Sequence, residues 1–204
     1  MDTSAIPTKN NLMRLQGKIK LSEQGHDLLE KKKFILTVEK GKYEQKREQL
    51  KTQLKEDFEV AYKKLINASI DIGIDELINI SEEIKIEDSV NIKYKTVMGV
   101  EIPSIIFEEQ DNTLQYGLYG TTSAVDETII EFNNIKKKII LLAELENTIS
   151  RLNKAINKVT TRSNALKDII IPNDKKIEHE IKNILEERER EEFARLKIIK
   201  GRMN

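Results

Sequence analysis

A long apolar stripe runs through the first third of the chain. Starting at Leu12 and advancing by three and four residues in turn, eight of thirteen positions up to Leu54 are apolar. The thirteen positions are Leu12, Leu15, Ile19, Ser22, His26, Leu29, Lys33, Leu36, Lys40, Tyr43, Arg47, Leu50 and Leu54. The stripe continues, shifted by one residue, at Phe58, Ala61, Leu65, Ala68 and Ile72. This spacing predicts one very long helix that packs along a narrow side, as coiled coils do. Gly73 predicts its end, before a short helical turn from Asp75 to Ile80.

A second stripe occupies the last third of the chain. Eight of nine positions are apolar in the series Leu142, Leu145, Ile149, Leu152, Ile156, Val159, Ser163, Leu166 and Ile170. Pro172 then interrupts it, either as a kink or as the first turn of a new helix. The stripe resumes more sparsely at Ile177, Ile184, Ala194 and Ile198. Two helices of similar length, each with one stripe, are expected to bury those stripes against each other.

The middle of the chain changes its period from helical to alternating. Val90, Ile92, Tyr94 and Thr96 alternate with polar residues, and Val100 and Ile102 do so again. The two runs meet at Val97-Met98-Gly99, which predicts a β-hairpin, and Pro103 confines the second strand to a sheet edge. A loop from Tyr116 to Gly120 follows, interpreted as a plain turn, and a helix is predicted to restart at Ser123–Asp126.

The predicted fold class is therefore mainly α, a long antiparallel two-helix coiled-coil hairpin with a small β-hairpin near its bend. The N-terminal long helix is expected at residues 8–80, the β-hairpin and loop segment at 81–121, and the C-terminal long helix at 122–200. Together they are expected to form one elongated domain.

Composition supports this fold and shows how charge is distributed along it. Of 204 residues, 34% are charged and only 5% aromatic, which is typical of long helices and poor for a round core. The net charge is zero, yet residues 9–56 carry +6, residues 57–127 carry −10 and residues 128–204 carry +5. A chain that folds back on itself would thus be positive where its two ends meet and negative at its bend.

The chain offers little that predicts catalysis. It has no cysteine, no phosphate-binding glycine loop and no pair of histidines at metal-binding spacing. Of its two histidines, His26 is interpreted as a polar position within the stripe and His179 as solvated. The longest apolar run, Ile139 to Ala143, is too short for a membrane helix, and no secretion signal is visible. We expect a soluble intracellular interaction protein, not an enzyme, with no cofactor and no metal.

Six short motifs follow one another along nearly the whole chain. They are Pro7-Thr8-Lys9 with Leu12, Arg14 and Leu15; Gly25-His26 with Leu28, Leu29 and Lys31; Val97 to Pro103; Tyr116-Gly117 through Asp126; Thr161 to Leu166 with Ile171-Pro172; and Glu189-Arg190 with Glu192, Arg195, Leu196 and Lys197. In this order, the motifs resemble the family of the D subunit, the central rotor shaft of V-type and archaeal A-type rotary ATPases.

The resemblance implies a rotor that transmits torque between a catalytic hexamer of A and B subunits and a membrane ion-translocating ring. Its implied partners are the A and B subunits, the small F subunit, and a funnel-shaped subunit that links the stalk to the ring. It also implies a cytoplasmic position peripheral to the membrane, without insertion into it. A shaft that turns in a collar is expected to have polar, charged outward faces.

Six residues are expected to contact the hexamer at the rotor tip: Arg14, Arg162, Asn164, Arg190, Arg195 and Lys197. The alternative is an unrelated cytosolic coiled-coil tether or export-apparatus stalk, which would associate with itself through the stripes.

Overall fold

The computed structural model describes residues 7–84, 90–107, 117 and 120–202. Helix α1 spans Lys9–Ile72, and α2 spans Ile74–Glu83. Strands β1, Val90–Val97, and β2, Val100–Phe107, form an antiparallel two-stranded sheet. Helix α3 spans Ser123–Ala165, a π-helical segment spans Leu166–Ile170, and α4 spans Ile171–Arg202. Two long helical stretches with a small β-hairpin between them confirm the predicted fold class.

The chain divides into two compact units. Unit 1 consists of Met1–Ile35 with Ile156–Asn204, and unit 2 consists of Leu36–Ala155. In each unit, α1 runs antiparallel to the helix that returns along it. Contacts in unit 1 pair Lys9 with Glu189 and Glu23 with Lys175, and contacts in unit 2 pair Lys40 with Asn153 and Lys64 with Glu131.

The predicted stripe of α1 coincides with its packed side. All eighteen predicted positions from Leu12 to Ile72 are buried or half-buried. In unit 1, Leu15 and Ile19 pack with Ile181 of α4. In unit 2 the core is built around two larger groups. The first contains Leu54, Ala61 and Ile135, and the second contains Ala68, Ile80 and Val125. The apolar contacts therefore follow a line along the helix, as the sequence period requires.

The second stripe is confirmed as far as Leu166 and again at Ile177, which packs against the group around Ile181. It is wrong at Ile170, Ile184, Ala194 and Ile198, which are exposed. The eight positions from Leu142 to Leu166 are buried or half-buried, whereas Ile170 and Ile184 are exposed. Their places on the packed side are taken by Asp174 and Ile181. The reason is the π-helical segment, in which the Ile171 N–H bonds back to the Leu166 carbonyl, five residues earlier. Each wide turn adds a residue, so the packed side of α4 moves to new positions.

Both helix boundaries marked by glycine or serine are confirmed. Gly73, at φ 87°, separates α1 from α2, in a backbone region that a side chain disfavours. Helix α3 begins at Ser123. The predicted loop from Tyr116 to Gly120 lies largely outside the described residues.

The β-hairpin turns through two residues, Met98 and Gly99. Both have positive φ, 50° and 77°, as a type I′ turn requires. Val97 pairs with Val100 next to the turn, and Tyr94 pairs with Pro103. Strand β2 continues past Pro103 to Phe107, which a proline allows because both strands are edges.

Candidate interaction surfaces

A polar cluster replaces apolar packing near the middle of unit 1. The Ser163 side chain is fully buried, and its hydroxyl donates to Glu30 Oε1 at 2.7 Å. The same hydroxyl oxygen lies 2.9 Å from His26 Nδ1. Because the one hydroxyl proton goes to Glu30, His26 Nδ1 is the donor in its own contact. His26 is therefore a hydrogen-bonded polar position in the stripe, as its spacing predicted.

The carboxylate of Glu30 is the charged member of this cluster. The Ser163 hydroxyl, followed by the Lys33 ammonium, holds the pKa of Glu30 below its ordinary value. Lys33 Nζ lies 3.3 Å from Glu30 Oε2, three residues away on the same helix. The cluster thus joins α1 and α3 by directed hydrogen bonds, and directed bonds fix the register of two helices more strictly than apolar contacts do.

Ion pairs between α1 and α4 tie the rest of unit 1. Lys9 pairs with Glu189 at 2.7 Å, and this contact raises the pKa of Lys9. Lys18 Nζ contacts Asp174 Oδ1 at 3.0 Å. Asp174 is nine-tenths buried or more, and its Oδ2 has no hydrogen-bond partner among the described residues. Burying a carboxylate with only one oxygen satisfied is costly, so Asp174 is an unfavourable residue for the packed side.

In unit 2 the β-hairpin is fastened to α3 by two side chains. Glu144 Oε2 accepts the Ile105 N–H at 2.8 Å. The Arg151 guanidinium lies 5.2 Å from the centre of the Tyr94 ring and donates to the Glu101 carbonyl at 3.3 Å. Ile102 of β2 is buried, whereas three apolar residues of β1 are between 42% and 57% exposed: Val90, Ile92 and Tyr94. The alternating pattern predicted both strands correctly, but none of the residues that the structure describes covers this face of β1.

Helix α4 ends in a stretch of exposed side chains. Lys9 contacts Glu189, and Arg188 donates to the Pro7 carbonyl at 3.2 Å, so α1 begins beside this part of α4. From Glu186 to Gly201 every side chain is exposed. Phe193 and Leu196 are 72% and 64% exposed. About 20 Å of α4 follows Glu189, since α4 runs to Arg202 and a helix rises about 1.5 Å per residue.

The six residues expected to contact the hexamer all lie in unit 1 and are all exposed, but they do not form one cluster. Arg162 and Asn164 flank the buried Ser163, beside His26 of α1. Arg190, Arg195 and Lys197 lie on the terminal part of α4, where Arg195 pairs with Glu191 at 3.8 Å. From Asn164 to Arg190 is about 40 Å of helix. Arg14 lies on α1, between Lys9 and Lys18 of the two ion pairs described above.

The expectation of polar outward faces is wrong at several places. On α1, Met13, Leu21 and Leu28 are each at least 66% exposed. Near the end of α1 and on α2, four isoleucines are at least half exposed, and they are Ile66, Ile70, Ile74 and Ile78. Sequence reasoning missed these residues because it followed only the stripe with the strongest period. The sequence signal that could have found them lies in α2, whose apolar residues spread over more of the helix circumference than its packed side occupies.

Two further findings concern metal sites and membrane-spanning helices. In the part of the chain that the structure describes, no three histidine, aspartate or glutamate side chains converge as a metal site would require. None of the described helices has a stretch both long and apolar enough to span a bilayer.

Comparison with known proteins identifies the family. The model of the ATP synthase D subunit family matches residues 11–201. The chain belongs to this family. It is similar to the D subunit of the V-type ATP synthase of Thermotoga neapolitana, with 34% identity over 200 residues that cover 98% of each chain. It is also similar to the D subunit of the A-type ATP synthase of Pyrococcus abyssi, with 36% identity over 198 residues that cover 96% of this chain and 92% of the relative.

A third relative gives the same result. The D subunit of the A-type ATP synthase of Methanosarcina mazei is 36% identical over 200 residues, which cover 97% of this chain and 96% of the relative. The resemblance of the motifs to the D subunit family is therefore confirmed. Membership of this family makes the chain a subunit of a rotary ATPase. The D subunit of such an enzyme is a stalk subunit.

Proposed function

We propose that this chain is the central-stalk rotor subunit of a V/A-type ATPase and transmits torque between the A/B hexamer and the membrane rotor ring. Membership of the D-subunit family over nearly the whole chain is the observation that carries the proposal. In this role the chain binds no nucleotide. Its partners are the A and B subunits, the F subunit and the funnel-shaped subunit, and its place is on the cytoplasmic side, peripheral to the membrane.

The packing within each unit supports a role in carrying torque. A single helix twists easily, whereas two helices that share apolar contacts and cross-helix bonds must shear those contacts before they twist. Unit 1 has the apolar group around Ile181 and the Ser163 hydrogen bonds. Unit 2 has the apolar groups around Ile135 and Val125, and an ion pair between Lys138 and Asp57 at 2.5 Å.

The proposed hexamer contact includes the exposed end of α4 and the six expected residues. Arg190, Arg195 and Lys197 are exposed there and carry positive charge toward any acidic loop of a surrounding collar. Phe193 and Leu196 add exposed apolar area to the same surface. Arg14, Arg162 and Asn164 are proposed as contacts farther from the end of α4.

Binding to a reconstituted A/B hexamer tests the proposal. One bound copy of this chain per hexamer, measured by native mass spectrometry, is the expected result. Absence of binding would overturn it, and self-association of the chain into dimers would favour the coiled-coil tether instead.

Charge reversal tests the contact at the end of α4. Changing Arg190, Arg195 and Lys197 to glutamate should weaken hexamer binding at least about tenfold. The control is a triple reversal of equal charge in unit 2, at the exposed residues Lys46, Lys51 and Lys55, which should leave hexamer binding unchanged. Equal effects of the two triple variants would show that only net charge matters.

A further inference from the structure

Helix α4 has two candidate packed sides, one residue apart along the chain. The packed series is Ile171, Asp174, Glu178, Ile181 and Leu185, all of them buried or half-buried. The residues that directly precede these five are Ile170, Asn173, Ile177, Glu180 and Ile184, and all except Ile177 are exposed. Each series contains three apolar residues, so the burial of apolar side chains gives neither series a clear advantage.

The π-helical segment selects which series is packed. Its wide turn, in which the Ile171 N–H bonds to the Leu166 carbonyl, adds one residue between the packed side of α3 and that of α4. If the segment took ordinary α-helical hydrogen bonds while α3 stayed in place, each packed residue of α4 would give way to the residue before it. Ile170 would then replace Ile171, and Ile184 would replace Leu185. Unit 1 would therefore keep apolar contacts between α1 and α4.

Each series also places a carboxylate unfavourably. In the structure Asp174 is buried, its Oδ1 lies 3.0 Å from Lys18 Nζ, and its Oδ2 has no hydrogen-bond partner among the described residues. The second series would put the uncharged Asn173 there, but it would also put Glu180 where Ile181 is now buried. Burying a carboxylate is costly in either arrangement, so the polar residues do not separate the two series widely.

Exposed ion pairs favour the described arrangement. Lys9 pairs with Glu189, and Glu23 pairs with Lys175, both at 2.7 Å and all with exposed side chains. After the change, each α1 residue would face a residue of its own sign instead, because the residues that precede Glu189 and Lys175 are Arg188 and Asp174. Exposed pairs contribute little each, and salt screens them. The described arrangement is therefore favoured by a small margin.

We infer that unit 1 is a conformational switch with two registers of α4 against α1. The major register is the described one, and in the minor register the π-helical segment becomes α-helical and Ile170 and Ile184 are packed. Interconversion turns α4 by about 100° about its own axis, the rotation that one residue of an α-helix represents. The exposed side chains from Glu186 to Gly201 turn with it. Two discrete packings of one interface can interconvert where a gradual twist would break contacts.

The inference goes beyond the proposed function and does not depend on it, because both registers belong to this chain alone. Failure of the chain to bind the A/B hexamer would overturn the proposed function and leave the switch standing. Absence of the minor register would overturn the switch and leave the proposed function standing.

Disulfide formation between α1 and α4 measures the two registers, because the chain has no cysteine of its own. Leu15 and Ile181 lie in one buried group, so Leu15→Cys with Ile181→Cys, here called the major-register pair, should close a disulfide readily. Leu15→Cys with Glu180→Cys, here called the minor-register pair, should close one more slowly, because its register is less populated. Mass spectrometry follows both rates in a glutathione buffer at low protein concentration.

Lys182 provides the matched control. It is exposed and adjoins Ile181, as Glu180 does, but the change of register moves it away from α1. Leu15→Cys with Lys182→Cys should react at least about tenfold more slowly than the minor-register pair. Equal rates would mean that α4 fluctuates without a second register, and they would overturn the inference, as would a minor-register pair that forms no disulfide. Both variants keep Ile181, so they differ only at exposed residues.

An exchange of charges should shift the balance without changing the net charge. Lys9→Glu with Glu23→Lys sets each α1 residue against a like charge in the major register and an opposite charge in the minor one. This exchange should accelerate the minor-register pair and slow the major-register pair, each at least about threefold. In the chain without the exchange, added salt should accelerate the minor-register pair. The control exchanges an ion pair within α1, Glu39→Lys with Lys42→Glu, and should alter neither rate.

Leucine at two adjacent positions tests the packing itself. Asn173→Leu should accelerate the minor-register pair, because this side chain is packed only in the minor register. Asp174→Leu should slow it, because leucine then replaces the unfavourable carboxylate of the major register. We expect effects of at least about tenfold in opposite directions. Changes in the same direction, or none in either variant, would overturn the inference. Circular dichroism near 222 nm verifies that each variant keeps its helices.

Discussion

Leu152 and Leu141 of α3 offer a direct test of the idea that packing along one side of the helix holds unit 2 together. Leu152 is 0% exposed and Leu141 is 51% exposed on the same helix. Alanine is a slightly better helix former than leucine, and this effect is the same at both positions. The difference between Leu152→Ala and Leu141→Ala therefore measures burial alone.

The expected magnitudes follow from those exposures. Leucine-to-alanine changes at fully buried sites cost about 2–5 kcal/mol, through lost transfer energy and the cavity that is left. The interface between two helices lies close to the surface, so the cavity can partly collapse. We therefore expect Leu152→Ala to lower the free energy of unfolding by about 3 kcal/mol. Exposed substitutions stay within about 0.5 kcal/mol, which is the expectation for Leu141→Ala.

Urea unfolding followed by circular dichroism near 222 nm measures both variants. With a urea dependence of about 2 kcal/mol per molar, the midpoint for Leu152→Ala should fall by about 1.5 M, and that for Leu141→Ala should hardly move. Equal shifts for the two variants would refute the reasoning, because they would mean that the packed side contributes no more than the exposed side.

Three further predictions concern single features of the fold. Ser163→Ala should destabilise the protein more at neutral pH than at about pH 3, measured by thermal melts. The Ser163 hydroxyl lowers the pKa of Glu30, so its contribution is present above the pKa of Glu30 in the unfolded chain and is lost as pH falls through the folded value. A difference independent of pH would contradict this. Asp174→Leu should raise the urea midpoint, because an apolar side chain replaces a buried carboxylate, one oxygen of which pairs with none of the described residues; a lower midpoint would show that the ion pair stabilises by more than its burial costs. Met98→Asn should slow hydrogen exchange of the hairpin amides and Gly99→Ala should speed it, about tenfold for the latter, since both residues have positive φ; the same direction for both would be inconsistent with a type I′ turn.

Sequence period predicted the packed side of α1 completely because a straight helix repeats its contacts regularly. Every position of that stripe, including Ser22, His26 and Lys33, is buried or half-buried. The sequence placed these polar residues in the stripe correctly, but it did not predict their hydrogen-bond partners. The contact of His26 with Ser163, for example, joins residues that are 137 apart in the chain.

The prediction of the packed side lost its register at the π-helical segment. Pro172 indicated an interruption, but a kink and a new helix were equally compatible with the sequence. The wide turn at Leu166–Ile170 lets the helix continue, with Asp174 in place of Ile170 on the packed side. A hydrogen bond between residues five apart leaves no periodic pattern in the sequence, so the change of the packed positions in α4 could not be predicted.

The exposed apolar side chains were not predicted from the sequence. Charge and family resemblance indicated arginines and lysines as contact residues, which stays a prediction, and the structure also exposes Phe193, Ile70 and Ile74. Whether an apolar residue faces a neighbouring helix or solvent depends on which residues the returning chain brings to it, and periodicity shows this only for the dominant stripe.

Residue spacing and motif order were enough to predict the helices, the hairpin, the family and the line of apolar contacts as far as Leu166, because each of these depends on local pattern. The folded chain was needed to show that Ser163 and Glu30 bond across unit 1 and that Asp174 is buried in the same unit. It was also needed to show that α2 buries Ile80 and leaves Ile74 and Ile78 exposed. These outcomes depend on how far each helix is rotated against its neighbour. Beyond Leu166 the π-helical segment changes which residues are packed, and Gly73 separates α2 from α1; neither feature repeats along the sequence.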